Sequence, residues 1–402
     1  MTVSIDDFFD DNILIQACYE KAKNITIGSA ILVKNQEKKI INSILSAETI
    51  AEKIIVCDTG STDNTVKTIK NLRNYDKSLY LEYLSWEENF AKMRNLSTAN
   101  LKTDWIFIID SDEVITSTID ISSLKFCLAF LEAIIPSDEI VLCFKQEASG
   151  ITGSGFPQRL YKNVSALKFW GFVHEELRSP NKFEIRTRFT LFNQGTEKEE
   201  RTKFNKEQRY NQLLLKNIEI EPDNVKWTSL LSPSWILEHI DISYKMFNTL
   251  IKKFKTEKNE VNFFSMKLFM SYILILIQMK KDREVITAEI EFAKNIFSHN
   301  PIFYYYDYFL KINDINNSIS IYIDELKDDI SVIKRGSQSD WTMYFPIEVL
   351  ECTLIKLLMK YEQYNLATEL YFSNPNELSN TGLIDAEVNL FESISKKNEL
   401  EE

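Results

Sequence analysis

The stretch Trp105-Ile106-Phe107-Ile108-Ile109-Asp110-Ser111-Asp112-Glu113 is an apolar run that stops abruptly in three carboxylates. A run this short, rich in Ile and aromatics and bounded by polar residues, predicts a fully buried strand. A buried parallel strand delivers its C-terminal end to the crevice where open α/β sheets bind ligands. Carboxylates crowded there repel one another unless a cation neutralises them. A hard divalent ion such as Mg²⁺ takes oxygen ligands, commonly one or two carboxylates together with substrate phosphates. The run therefore predicts a metal–diphosphate site. The plainer alternative is a strand that ends in a polar turn.

A second strand of the same kind, Lys53-Ile54-Ile55-Val56-Cys57-Asp58, also ends in an acid. The polar turn Thr59-Gly60-Ser61-Thr62-Asp63-Asn64-Thr65 follows it and leads into a helical pattern from Val66. Upstream, residues 25–33 form a first strand, followed by Lys34-Asn35-Gln36-Glu37 and an amphipathic helix through Ile41, Ile44 and Leu45. Strand and helix thus alternate, with acids at strand ends, which argues for an α/β fold built on a parallel sheet with right-handed crossovers.

Three segments in order carry a resemblance: Cys57-Asp58-Thr59-Gly60-Ser61-Thr62-Asp63, then Asn89-Phe90-Ala91-Lys92-Met93-Arg94-Asn95, then Asp110-Ser111-Asp112-Glu113. Their order and spacing resemble the nucleotide-sugar half of a family 2 inverting glycosyltransferase with the GT-A fold, over residues 24–180. The overall layout, with a helical tail and no membrane span, is also similar to the SunS-type glycosyltransferases, which attach sugars to Cys or Ser of glycocin peptides. The resemblance implies a UDP-sugar donor and a Mg²⁺ or Mn²⁺ ion. In it Asp58 binds the uracil or ribose, Lys34 lies beside the nucleotide, and Arg94 lies near the base or diphosphate, where a fixed guanidinium suits charged oxygens. Asp110 lies near the ribose and the metal's water shell, Ser111 belongs to the same nucleotide-sugar site, and Asp112 is the direct metal ligand. Glu113 departs from the Asp-Asp ending common in the family.

A further constellation joins Gln158-Arg159-Leu160-Tyr161-Lys162-Asn163 to Phe169-Trp170-Gly171-Phe172-Val173-His174-Glu175-Glu176-Leu177. Similar enzymes place an Arg-Leu-aromatic segment before a His-Glu pair. His174 is then a metal or diphosphate contact, or an acid–base group near neutral pH. Glu175 and Glu176 are the other candidates for the base, and the Glu-Asp pair that family members often use is absent from residues 140–200. The base therefore stays open among the three. The implied chemistry is a single inverting displacement, in which the acceptor loses a proton as it attacks C1 and the metal neutralises the departing UDP. A thiol acceptor, which ionises near pH ~8.5, needs only a weak base.

Lys and Arg total 47 against 59 Asp and Glu, a net charge of −12 that disfavours nucleic acid or an anionic membrane as partner. Cys18, Cys57, Cys127, Cys143 and Cys352 show no C-x-x-C spacing, so neither a disulfide framework nor a zinc site is expected. The most apolar helical stretch, residues 268–279, falls short of the ~18 apolar residues of a membrane span and reads as a buried helix. With no basic and apolar leader at Met1-Thr2-Val3-Ser4-Ile5-Asp6-Asp7, a cytoplasmic enzyme with a freely soluble acceptor is expected.

Near residue 205 strand signals fade and helical periodicity takes over. Three domains are expected: a helical segment at 1–23, the GT-A domain at 24–205 and a helical hairpin array at 206–402. Pro301 lies 79 residues after Pro222, and Pro375 lies 74 after Pro301, each about twice the ~34-residue tetratricopeptide unit. Such an array would dock a peptide acceptor or form a homodimer, or would simply cap the sheet. Tyr304, Tyr305, Tyr306 and Trp341 are candidate docking aromatics, equally plausible as core. The expected activity is transfer of a hexose, glucose by the SunS-type resemblance, from UDP-hexose to Cys or Ser of a small bacteriocin-type peptide. A saccharide or lipid acceptor, or a nonenzymatic nucleotide-sugar-binding scaffold, are the alternatives.

Overall fold

A computed structural model describes residues 12–74, 78–148, 155–194, 206–257, 260–313, 319–336, 345–361, 363–388 and 391. The chain divides into two compact units, Met1–Ile220 and Glu221–Glu402.

The first unit begins with helix α1 (Asn12–Ala22) and continues β1 (Ile27–Val33), α2 (Ile40–Glu48), β2 (Lys53–Asp58), α3 (Thr65–Arg73), β3 (Leu79–Tyr83), α4 (Phe90–Thr98) and β4 (Trp105–Ile108). Then come β5 (Glu113–Ile115), α5 (Ile121–Ile134), β6 (Ile140–Ala148), β7 (Gln158–Lys162), β8 (Lys168–Trp170), β9 (Glu176–Arg178), β10 (Phe183–Asn193) and α6 (Lys206–Ile220). Eight strands form one sheet in the order β3-β2-β1-β4-β7-β6-β10-β5, and β8 and β9 form a separate hairpin. The β3-β2-β1-β4 half is wholly parallel, β7 runs antiparallel to both β4 and β6, and β10 is parallel to β6 but antiparallel to β5. The sheet is therefore mixed, a GT-A-like arrangement with helices on both faces.

Side-chain alternation decides what each face holds. In β2, Ile54 and Val56 join one apolar cluster, packed with Ile40 and Ile44 of α2, Ile69 of α3 and Leu124 and Leu128 of α5. Ile55 and Cys57 join the other, with Ala91 of α4, Phe169 of β8 and Leu177 of β9. In β4, Trp105 and Phe107, followed by Ile109, share the first cluster, while Ile106 and Ile108 share the second. Cys57 and Cys143 are fully buried, and all five cysteines are free thiols.

The second unit is helical: α7 (Val225–Ser229), α8 (Pro233–Glu238), α9 (Ile240–Thr256), α10 (Phe263–Gln278), α11 (Arg283–Ile296), α12 (Pro301–Asn313), α13 (Ile319–Arg335), α14 (Glu348–Lys360), α15 (Tyr364–Ser373) and α16 (Pro375–Asn380). Consecutive helices from α9 to α15 pack against one another. The apolar stretch at 268–279 is largely the buried helix α10, and among the described residues no helix is long and apolar enough to cross a membrane. Tyr306 is buried, and Tyr304 and Tyr305 pack against the unit's core. Trp341 lies outside the described residues.

Candidate active site

Strands β2, β1 and β4 are parallel neighbours, so Asp58, Lys34 and Asp110 all stand at the C-terminal edge of the sheet. Asp58 is the last residue of β2, and its buried carboxylate accepts from the backbone N–H groups of Gly60 and Ser61, each at 3.1 Å. Gly60 has φ 99°, a conformation that only glycine adopts without strain, and it lets the chain fold back onto the acid. Lys34 is exposed one residue past the end of β1.

At the end of β4, Asp110 and Glu113 bracket a β-turn: the Glu113 N–H donates to the Asp110 carbonyl at 3.0 Å. The Glu113 carboxylate reaches back to accept the Asp110 N–H, also at 3.0 Å. Continuing the β4 alternation puts Asp110 on the face that α4 covers. Arg94, on α4, donates through Nη2 to Asp110 Oδ1 at 2.7 Å and through Nε to Glu175 Oε1. Arg159 comes from β7, whose register with β4 (Phe107 opposite Leu160) brings it alongside the strand end. Its Nη2 donates to Asp110 Oδ2 at 2.9 Å and to Glu113 Oε1 at 2.6 Å. Glu113 is 0% exposed and also accepts from Gln146 Nε2. The result is one chain of alternating charge: Glu175, Arg94, Asp110, Arg159, Glu113.

Burial alone would raise the Asp110 pKa, but the guanidiniums of Arg94 and Arg159 outweigh it and hold the carboxyl well below the usual carboxylate range. A depressed folded-state pKa stabilises the fold fully above the unfolded value of ~3.9, and that stability is lost as pH falls through the folded value. We expect Asp110→Asn to be less stable than wild type at neutral pH, with the difference between their urea midpoints shrinking steadily below about pH 4. A difference that stayed constant down the acid limb would contradict this.

Ser111 and Asp112 form the tip of the turn and are both half-buried. The Asp112 carbonyl accepts from the Gln194 N–H at 2.7 Å, and Lys39 Nζ donates to the Gln194 carbonyl at 2.7 Å. The turn is thus tied through its backbone as well as through the Glu113 carboxylate.

The His174 loop is held from two sides. The first N–H groups of α4, on Phe90 and Ala91, donate to the carbonyls of Phe172 and Gly171 at 2.9 and 3.2 Å. From α6, fully buried Asn217 accepts the Phe172 N–H at 2.8 Å and donates to the Val173 carbonyl at 3.1 Å. Gly171 has φ 108°, and His174 itself is left-handed with φ 52°, an uncommon backbone for a residue with a Cβ. The His174 ring stands edge-on to Tyr210 of α6 at 5.8 Å. Burial and the charges of Glu175, Asp110 and Asp112 push the Tyr210 hydroxyl up to about 12, which places these acids and the phenol in one neighbourhood. Glu176 faces elsewhere. Its carboxylate accepts from Arg178 Nε at 2.8 Å, and the Arg178 guanidinium stacks 3.9 Å from the Trp170 ring centroid.

Among the expected site residues, Arg94, Asp110 and Glu175 are joined by direct bonds, and Asp112 and His174 both lie near Tyr210. Asp58 and Lys34 share the sheet edge, and Glu176 lies on the hairpin. Among the described residues no three His, Cys, Asp or Glu side chains form a ready-made metal cage. Asp112 stands at the tip of the turn whose other two acids, Asp110 and Glu113, accept from arginines. That set fits an ion such as Mg²⁺ held by one carboxylate and substrate phosphates, and does not fit one held by protein alone.

Residues 30–133 match the family model of glycosyl transferase family 2. The match lies wholly within the first unit. The matched stretch contains Lys34, Asp58, Arg94, Asp110, Ser111 and Asp112, and stops short of Arg159, His174, Glu175 and Tyr210. Over 257 residues the chain is 28% identical to the SPbeta prophage-derived glycosyltransferase SunS of Bacillus subtilis, an overlap of 61% of this chain. The chain spans 58% of that relative's length. Among solved structures it is similar to S. aureus TarS in complex with UDP-GlcNAc, with 16% identity, 68% of this chain, 86% of that one and a TM-score of 0.34. It is also similar to the mannosyltransferase PcManGT from Pyrobaculum calidifontis in complex with GDP-Man and Mn²⁺, with 10% identity, 88% of this chain, 94% of that one and a TM-score of 0.40. No conclusion rests on likenesses at these scores.

Proposed function

We propose that this chain is a metal-dependent inverting glycosyltransferase that moves a hexose, glucose in this reading, from a UDP-sugar to a Cys or Ser side chain of a small bacteriocin-type peptide. The observation that carries the reading is the turn at the end of β4, inside the family-matched stretch. There two arginines take up Asp110 and Glu113, and Asp112 is presented at the tip.

Charge arithmetic supports a cation. Glu175, Asp110 and Glu113 carry three negative charges against two positive ones on Arg94 and Arg159. Asp112 adds another negative charge beside them. A diphosphate entering that neighbourhood is repelled unless a divalent ion comes with it. When bound, such an ion would supply Lewis-acid stabilisation of the leaving diphosphate. Asp112 would hold it, and Asp58 and Lys34, on the neighbouring strand ends, would meet the nucleoside. In the displacement, the acceptor sulfur or oxygen gives up its proton and forms a bond to C1 as the bond from C1 to the UDP oxygen breaks, the electron pair leaving with UDP. Both glutamates beside His174 accept from arginines, so we assign the proton-accepting role to His174, which works near neutral pH.

The helical unit is read as the peptide-docking part, an array resembling tetratricopeptide repeats. Similarity to SunS, a glycosyltransferase by its name, and the helical character of residues 221–402 support this.

UDP release measured across a panel of UDP-sugars, with Mg²⁺ or Mn²⁺ and then with EDTA, tests the donor half. We expect one donor to be hydrolysed slowly without acceptor and rapidly with a Cys-containing or Ser-containing peptide, and EDTA to stop both. Neither release nor UDP binding under any condition would sink the proposal.

A further inference from the structure

Helix α6 follows the sheet in sequence and lies outside the family-matched stretch, yet three of its side chains close on the site. Asn217 grips the backbone just before His174. Arg209 donates to Glu88 at 3.0 and 3.1 Å and stacks 4.8 Å from the Trp86 ring centroid, fastening the loop between β3 and α4. Tyr210, between these anchors, stands edge-on to His174 at 5.8 Å and 86° and to Phe90 at 5.9 Å and 81°.

We propose that Tyr210 is a positioning residue for His174, its ring fixing the orientation of the imidazole above the left-handed backbone that Asn217 braces. The proposal rests on the reading of His174 as the proton acceptor. Two observations support it. Ring–ring contacts of this edge-on kind set orientation as well as area. Phe90 on the far side of Tyr210 belongs to α4, the helix that carries Arg94, so one aromatic line joins the helix of the arginine to the histidine.

The chain has only three histidines, His174, His239 and His299, so the imidazole resonances of the full-length protein can be assigned with a His174→Asn variant. We expect a cross-relaxation signal between the Tyr210 and His174 rings in the wild type. In Tyr210→Leu the His174 ring protons lose their ring-current shift, and the rate of UDP release with Mn²⁺ and peptide falls roughly 10-fold while UDP affinity holds. Tyr210→Phe, which keeps the ring, restores both. Absence of the cross-signal in the wild type overturns the proposal, and so does equal loss of rate in the Leu and Phe variants. If Tyr210→Leu does not fold, the wild-type cross-signal and the Phe variant decide. If the ring contact and the Leu–Phe split in His174 resonances are seen while UDP binds to no variant, positioning stands and the transferase reading fails.

Discussion

Arg159→Met is expected to destabilise the first unit by about 3–5 kcal/mol, the largest stability effect of any single change at the site. The reason is Glu113, which is 0% exposed and accepts from Arg159 at 2.6 Å. Without the guanidinium its charge stays buried, with the Gln146 amide and the Asp110 N–H as its remaining partners. The attraction between two buried charges is offset largely by the cost of drying them, so removing both partners is much milder than removing one. Arg159→Met/Glu113→Met should therefore recover most of the loss, while Asp110 keeps its bond to Arg94. Urea unfolding of the wild type, the single variant and the pair provides the check. A double variant no more stable than Arg159→Met would show that the Arg159–Glu113 pair is not what holds the turn.

The second large effect concerns activity. Asp112→Ala should lower metal-dependent UDP release by roughly 100- to 1,000-fold, the scale expected when a group that stabilises a developing charge is lost. Its cost in stability should be far smaller than that of Arg159→Met. The turn is tied by the Gln194 N–H on the Asp112 carbonyl and by Glu113 on the Asp110 N–H, and alanine leaves both bonds intact. Parallel measurement of UDP release and of the thermal midpoint separates the two quantities. Loss of release together with a large drop in midpoint would make Asp112 a structural acid.

Much of the sheet can be read from the chain because buried parallel strands announce themselves as unbroken apolar runs. The runs at 53–58 and 105–109 become β2 and the β4 end, and the polar turn at 59–65 leads into α3. Acids at the ends of such runs are equally visible, and Asp58 and Asp110 are two of them. What sequence conceals is pairing across the sheet. Arg159 stands in a quoted segment but carries no mark of its role until β7 is laid antiparallel beside β4. A guanidinium placed directly before the buried pair Leu160-Tyr161 is the available hint. Glu113 reads as a third exposed acid, and only the fold shows it fully buried. Glu175 and Glu176 are indistinguishable in sequence, whereas alternation turns one toward Arg94 and the other toward Arg178. Tyr210 and Asn217 gave no signal, because a helix that leaves the sheet can return to any part of it.

The place of α6 also bears on how the protein is made. Synthesis runs from the N-terminus, and Asn217 follows Val173, the residue whose carbonyl it binds, by 44 positions. At about 5–20 residues per second the loop must wait roughly 2–9 s for its partner. The sheet can thus assemble on the ribosome with its histidine still unanchored, so the site is finished only after the scaffold that bears it.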